Sequence, residues 1–180
     1  KNDAQALIAT HAPSMLKRVP PKAIRYLRLS QARKSTVTKI VMPNARTEAH
    51  KFVREALQAY PEVYFSRFVI LGEGASEEIV LPRLLRAKDL GLDEMAISVV
   101  PLGGRHVNHF WRLLSSLEIP YVTLLDLDLA RYQGGWGRIR YAVDQLLEFH
   151  PKEYAVFEKT RNALPNWNED VELKFESIPE

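Results

Sequence analysis

From Arg67 onward the apolar and polar positions fall into blocks that read strand, helix, strand, helix, strand, helix. Phe68 to Leu71 is an uninterrupted apolar run, the form taken by a parallel strand covered on both faces. A helix is predicted from about Ser76, a good N-cap residue, to the C-cap signal Leu90-Gly91. Pro82 lies several residues inside it and predicts a kink or a restart. Ala96 to Pro101 is the second strand, and Val107, Phe110, Trp111, Leu114 and Leu117 mark a second helix. Tyr121 to Leu127 is the third strand. Ile139, Ala142, Val143, Leu146 and Leu147 mark a third helix, closing near Phe149-His150-Pro151. This alternation predicts an α/β fold with a parallel, helix-covered sheet.

The pattern upstream is different. Gln5 to Thr10 predicts a short buried strand, broken by His11-Ala12-Pro13-Ser14. Met15 to Arg18 starts a short helix that Pro20-Pro21 ends. Ala23 to Leu29 and Thr36 to Val41 predict strands joined as a hairpin around Ser30 to Ser35. Asn44 to Tyr60 carries Phe52, Val53, Ala56, Leu57 and Tyr60 at helical spacing, with Pro61 after its end and the punctuator Pro43-Asn44 before it. After Pro151 the pattern weakens to a helix over Tyr154 to Thr160 and a strand over Val171 to Phe175.

Composition narrows the class. At 180 residues the chain suits one domain, or one domain plus an extension, and can bury roughly 70% of its unfolded surface. It has no cysteine, which excludes disulfides, zinc–thiolate sites and thiol nucleophiles and fits a cytoplasmic location. No apolar run reaches the ~20 residues of a membrane span, and Lys1-Asn2-Asp3-Ala4-Gln5 is no secretory signal. The net charge of +3 and pI of about 9.1 are compatible with a polyanionic partner. Basic residues are densest over Lys17, Arg18, Lys22, Arg25, Arg28, Arg33, Lys34 and Lys39, either a solvated face or a strip that tracks DNA.

The chemistry sits at two strand ends. The first strand runs into Glu73-Gly74, with Glu77 and Glu78 just beyond, and the third runs into Asp126-Leu127-Asp128. Open α/β sheets place ligands at the carboxyl ends of their strands. If the two ends are neighbours, Glu73, Asp126 and Asp128 converge, and such a cluster is costly unless a divalent cation neutralises it. We therefore read a magnesium site for phosphodiester chemistry. Period-two geometry points Asp126 and Asp128 the same way, a donor pair suited to a hard, oxygen-seeking cation. Glu77 falls one helical turn on from Glu73, although acids at a helix start are also favoured by the helix dipole alone. The site requires a strand order of second, first, third, with the switch point between first and third.

Arg131, Arg138 and Arg140 follow the Asp pair, interleaved with Gly134, Gly135 and Trp136. A glycine-rich basic turn beside a metal site can hold a phosphate backbone; a soluble loop is the plainer alternative. Gly103-Gly104-Arg105-His106, at the second strand end, is a candidate for orienting substrate or else a structural turn. His109 and His150 have no partner at metal spacing, and Phe110 and Trp111 read as core.

Glu73-Gly74 followed by Asp126-Leu127-Asp128 resembles the Toprim signature, shared by topoisomerases, bacterial primases, recombination mediators and some nucleases. The longer string Leu71-Gly72-Glu73-Gly74-Ala75-Ser76-Glu77-Glu78-Ile79-Val80-Leu81-Pro82 resembles the OLD (overcoming lysogenisation defect) family. So do Val100-Pro101-Leu102-Gly103-Gly104 and Gly134-Gly135-Trp136-Gly137-Arg138. In that family an ABC-type ATPase precedes a Toprim nuclease. The resemblance implies a metal-dependent DNA endonuclease working with two Mg2+ or Mn2+ ions and a role in phage defence, and we expect a homo-oligomer in the full-length protein. Asp126 and Asp128 bind one ion; Glu73 and Glu77 bind or approach the second, or Glu73 acts as general acid/base; Arg131, Arg138, Arg140 and Arg105 contact DNA. Leu7-Ile8-Ala9-Thr10-His11-Ala12-Pro13 resembles the switch-histidine strand near the end of such an ATPase, with His11 sensing ATP. The expected division is residues 1–43 as the ATPase tail, 44–65 as a linker helix, 66–150 as the Toprim domain and 151–180 as a partial extension.

The sequence departs from the family in two ways. No G-x-x-x-x-G-K-[ST] occurs, so ATP is reached only through an upstream ATPase domain. Relatives carry further acidic and basic residues after a fourth strand, a segment that the pattern here does not place, so the chain resembles a fragment expected to start inside the ATPase and to stop before the Toprim domain is complete. Three rival readings stand beside this one. One is a non-catalytic Toprim module for assembly and DNA binding. Another is a phosphoryl-transfer enzyme with Asp126 as nucleophile, disfavoured because Leu129-Ala130 follows where Thr or Val is expected. The third, a Walker-B strand at Leu124-Leu125-Asp126, fails for want of a P-loop.

Overall fold

The computed structural model describes residues 5–30, 32–42, 44, 48–103, 107–129, 131–149 and 155–165. A short helix α1 (Pro13–Leu16) and a 3-10 turn lead into an antiparallel hairpin, β1 (Arg25–Leu29) and β2 (Ser35–Lys39), in which Leu27 faces Val37. Helix α2 (Glu48–Ala59) and a second 3-10 turn (Pro61–Phe65) connect it to the α/β unit. That unit runs β3 (Phe68–Gly72), α3 (Ala75–Arg86), α4 (Leu92–Met95), β4 (Ile97–Pro101), α5 (Val107–Ser116), β5 (Tyr121–Thr123) and α6 (Trp136–Phe149). Helix α7 (Ala155–Ala163) packs on α6.

The sheet is parallel with order β4-β3-β5, the second-first-third order that the acid positions demanded. Its centre is buried: Val69 and Leu71 of β3 and Val100 of β4 are fully covered. Val107, Phe110, Leu113 and Leu114 place the apolar face of α5 in the same core. Trp111 donates from Nε1 to Thr123 Oγ1 at 2.8 Å, tying α5 to β5, and its ring lies 5.6 Å from that of Phe149 on α6. These contacts fix α5 and α6 relative to the strand ends that carry the acids.

Several local expectations are corrected. Residues 5–10 form no strand: Leu7 is 97% and Ile8 67% exposed, and no described strand lies alongside to accept their backbone hydrogen bonds. The N-cap of α3 is Gly74, not Ser76. Helix α3 continues through Pro82 without restarting. It closes on Asp89 in the left-handed region (φ +58°), with Leu90 N–H donating back to Leu85 O, so Gly91 is not the cap. The third strand stops at Thr123, four residues short of the expected end at Leu127. His150, most of the tail and the strand predicted over Val171 to Phe175 lie outside the described residues.

Candidate functional site

Backbone hydrogen bonds clamp the three strand ends together. Leu102 N donates to Gly72 O (2.8 Å), Gly103 N to Glu73 O (3.0 Å), and Leu124 N to Leu71 O (2.8 Å). Glu73 therefore emerges at the switch point between β3 and β5. Beyond Leu124 the chain leaves the sheet, so strand periodicity no longer governs Asp126 and Asp128. Asp126 keeps an exposed side chain, but its backbone N–H donates to Glu73 Oε2 at 2.8 Å. Asp128 adopts a left-handed conformation (φ +48°) that turns the chain back.

The return turn is tightly built. Gly135 N donates to Leu127 O (2.6 Å), Arg131 N to Asp128 O (3.1 Å) and Gly134 N to Arg131 O (2.9 Å). A Cβ on Gly134 would fall 1.8 Å from Asp128 O, so only glycine fits there. The turn delivers the first turn of α6 over Asp128. Arg138 donates from Nε (3.0 Å) and Nη2 (2.6 Å) to Asp128 Oδ2, and from Nη2 to Glu73 Oε1. Arg131 Nη1 donates to Asp128 Oδ1 at 3.1 Å. The Arg138 side chain is 24% exposed and the Glu73 and Asp128 side chains 15% and 19%, so the cluster is sheltered yet reachable from solvent. The hydrogen bond from Arg138 is the main cause holding the Asp128 carboxyl below its usual range; desolvation opposes it and the charges of Arg138 and Arg131 add to it. The same bond raises the Arg138 guanidinium above its ordinary value.

Glu77 has another partner. Its Oε2 accepts from Gly74 N (2.7 Å) and its Oε1 from Ser76 Oγ (3.0 Å), so it caps its own helix. The Gly74 hydrogen bond leads the causes that lower its carboxyl. Gly72 makes room for it: a Cβ there would lie 2.5 Å from Glu77 Cβ. Among the described residues no three His, Asp or Glu side chains surround one point. The structure thus brings Glu73 and Asp128 together through Arg138, while Asp126 contributes its backbone and Glu77 stays on α3.

The other candidates fall elsewhere. Arg140 Nη2 donates to Leu164 O at the end of α7. The Arg131 side chain is 78% exposed. Arg105 and the turn at Gly104 to His106 lie outside the described residues, and His11 is exposed in the extended stretch before α1. Of the basic stretch, Arg28 donates to Leu117 O and Arg25 to Lys22 O and Ile24 O. A cleft of about 810 Å3 opens beside Asp128 and Arg138, lined also by Asn108, His109, Tyr132 and Gln145. Asn108, buried on α5, was not anticipated; it donates to Gln145 Oε1 and to Glu148 Oε2 (3.2 Å). Its only signal in the sequence was a lone amide within an apolar helix face.

Glu73, just past β3, and Asp128, in the turn beyond β5, bring two carboxylates together on Arg138; such hard oxygen donors are the kind that a divalent cation such as Mg2+ takes one or two at a time.

Residues 64–128 match the family model described as the overcoming lysogenization defect protein-like TOPRIM domain, and the parallel β4-β3-β5 sheet with its flanking helices is consistent with a Toprim fold. The match runs from just before β3 to Asp128 and so contains Glu73, Glu77, Asp126 and Asp128. The chain is also similar to "Endonuclease GajA" of Bacillus cereus (strain HuB5-5), at 28% identity over 99 residues. That alignment covers 51% of this chain and 14% of the relative, so the chain spans only a small part of that protein's length. Among the described residues no helix is long and apolar enough to cross a membrane.

Proposed function

We propose that this chain is the nuclease module of a larger metal-dependent DNA endonuclease. The observation that carries the reading is the pairing of Glu73 and Asp128 across the switch point of a Toprim sheet, beside a basic glycine turn and an open cleft. Glu73, Asp126 and Asp128 would hold Mg2+ or Mn2+, with Glu77 reaching a second ion only by giving up its cap on Gly74. Bound there, such cations supply Lewis-acid charge stabilisation and a more nucleophilic water. In the alternative, Glu73 would act as general acid/base in place of holding an ion. Arg131 lies open to solvent on the turn and suits a DNA phosphate; Arg138 enters from the first turn of α6. Arg140 reaches DNA only by leaving Leu164 O, and Arg105 belongs to the same proposed contact set.

The remaining parts of the reading concern the whole protein. ATP acts through an ATPase domain upstream of this chain, with His11 at the seam as its sensor. DNA is the substrate, the assembly is a homo-oligomer in the cytoplasm, and the biological role is phage defence. The domain division at residues 43, 65 and 150 belongs to this proposal too.

A second reading is a non-catalytic Toprim module that binds DNA. The ion pairs favour it, because Arg138 and Arg131 already neutralise Asp128. Calorimetric titration with Mn2+ separates the two. The nuclease reading expects saturable binding near or below millimolar concentration that Asp128→Ala removes. No binding in that range leaves the scaffold reading standing.

A further inference from the structure

We propose that Arg138 is the internal counter-cation of this site. It holds Glu73 and Asp128 together while no divalent cation is bound, and turns to the substrate phosphodiester when one binds. This rests on the metal-site reading above and gives Arg138, ten positions beyond Asp128, a second role besides the DNA contact already proposed for it.

The hydrogen bonds carry the inference. All four oxygens of the two acids are engaged. Glu73 Oε2 takes the Asp126 N–H and Glu73 Oε1 takes Arg138. Asp128 Oδ2 takes Arg138 twice and Oδ1 takes Arg131. Arg138 bridges both carboxylates, using the planar fork that distinguishes arginine from lysine. Without it two like charges would face each other in a sheltered site.

A divalent cation draws carboxylate oxygens to about 2.0–2.6 Å. Held by Glu73 and Asp128, it would compete with the guanidinium for the same two carboxylates, and two positive charges repel at close range. Cation and guanidinium are therefore alternatives on these oxygens. The displaced side chain stays local, because the Gly134-Gly135 turn fixes the start of α6 and Arg138 lines the same cleft as Asp128. The other carboxylates of that cleft already have partners, Asp144 in Arg161 and Glu148 in Asn108, and the phosphodiester is the further anion that the reaction brings. Cation binding and DNA binding then reinforce each other, reciprocally.

The test is Mn2+ titration of the full chain as wild type, Arg138→Ala, Arg138→Gln and Arg138→Lys, each with and without a phosphorothioate DNA duplex. Melting temperatures are read in EDTA and in Mn2+. We expect Arg138→Ala to bind Mn2+ roughly fivefold more tightly than wild type without DNA, with Arg138→Lys between them. Its melting temperature should fall in EDTA and recover with Mn2+. DNA should raise the Mn2+ affinity of wild type by about fivefold or more and leave that of Arg138→Ala unchanged. Arg138→Gln carries the same comparison if the alanine variant fails to fold. Mn2+ binding that is equal or weaker in the variants, with wild-type binding intact, overturns the counter-cation role and leaves the metal site standing. Absence of Mn2+ binding in every protein overturns both.

Discussion

The backbone N–H of Asp126 donates to the Glu73 side chain at 2.8 Å across 53 positions of sequence. This bond makes the two strand ends one unit. Glu73 is oriented from one side by a peptide group that follows β5 and from the other by Arg138 of α6. Removing the Glu73 carboxylate should therefore loosen the path from Leu124 to Asp128 as well as the site. Glu73→Gln keeps an acceptor for Asp126 N–H but loses the charge. We expect Glu73→Ala to lower the melting temperature more than Glu73→Gln, with both losing Mn2+ binding. Differential scanning calorimetry with Mn2+ titration checks both halves.

The Gly134 turn sets where Arg138 arrives. Gly134→Ala puts a methyl 1.8 Å from Asp128 O, so the turn must open. Gly135→Ala meets Leu129 Cδ2 at 3.5 Å and is strained chiefly by its φ of +56°. Chemical denaturation should show a loss of about 2 kcal/mol or more for Gly134→Ala and about 1 kcal/mol for Gly135→Ala.

Asp128 gives the site a pH dependence of known sign. Its folded carboxyl lies below its ordinary value, chiefly through the Arg138 hydrogen bond. The stabilisation is fully present above the unfolded value and is lost as pH falls through the folded one. Between pH 7 and pH 2, wild type should lose stability more steeply than Asp128→Asn. Parallel thermal melts across that range measure the difference.

Trp111 offers a control away from the acids. Its indole N–H bonds Thr123 Oγ1 at 2.8 Å inside the core. Trp111→Phe deletes the donor and part of the ring, and should cost about 1–3 kcal/mol on denaturation while leaving Mn2+ affinity unchanged.

The fold was legible where local pattern and topology agree. The apolar run before Glu73, and an Asp pair expected to meet that acid, required β3 to lie between β4 and β5, and it does. The hairpin at Ser30 to Ser35 also followed from local signals, with Arg33 at φ +57° closing it. What failed was reading periodicity past the point where pairing stops. Gln5 to Thr10 has the residues of a strand and no described partner. Asp126 and Asp128 have the spacing of one strand face, but the chain leaves the sheet beyond Leu124 and Asp128 turns left-handed. Arg138 was legible only as a cation near a glycine turn; its bridge between two acids depends on how α6 docks, which no local pattern encodes.

The central claim is that these acids serve phosphodiester cleavage, and plasmid nicking tests it most directly. The full-length protein containing this chain is incubated with supercoiled DNA and Mg2+, alongside Glu73→Ala and Asp126→Ala, with folding checked by circular dichroism. The account predicts Mg2+-dependent nicking by wild type and a loss of roughly 100-fold or more in each variant, the scale of the several kcal/mol a bound cation contributes. Nicking that persists in both variants at the wild-type rate contradicts it.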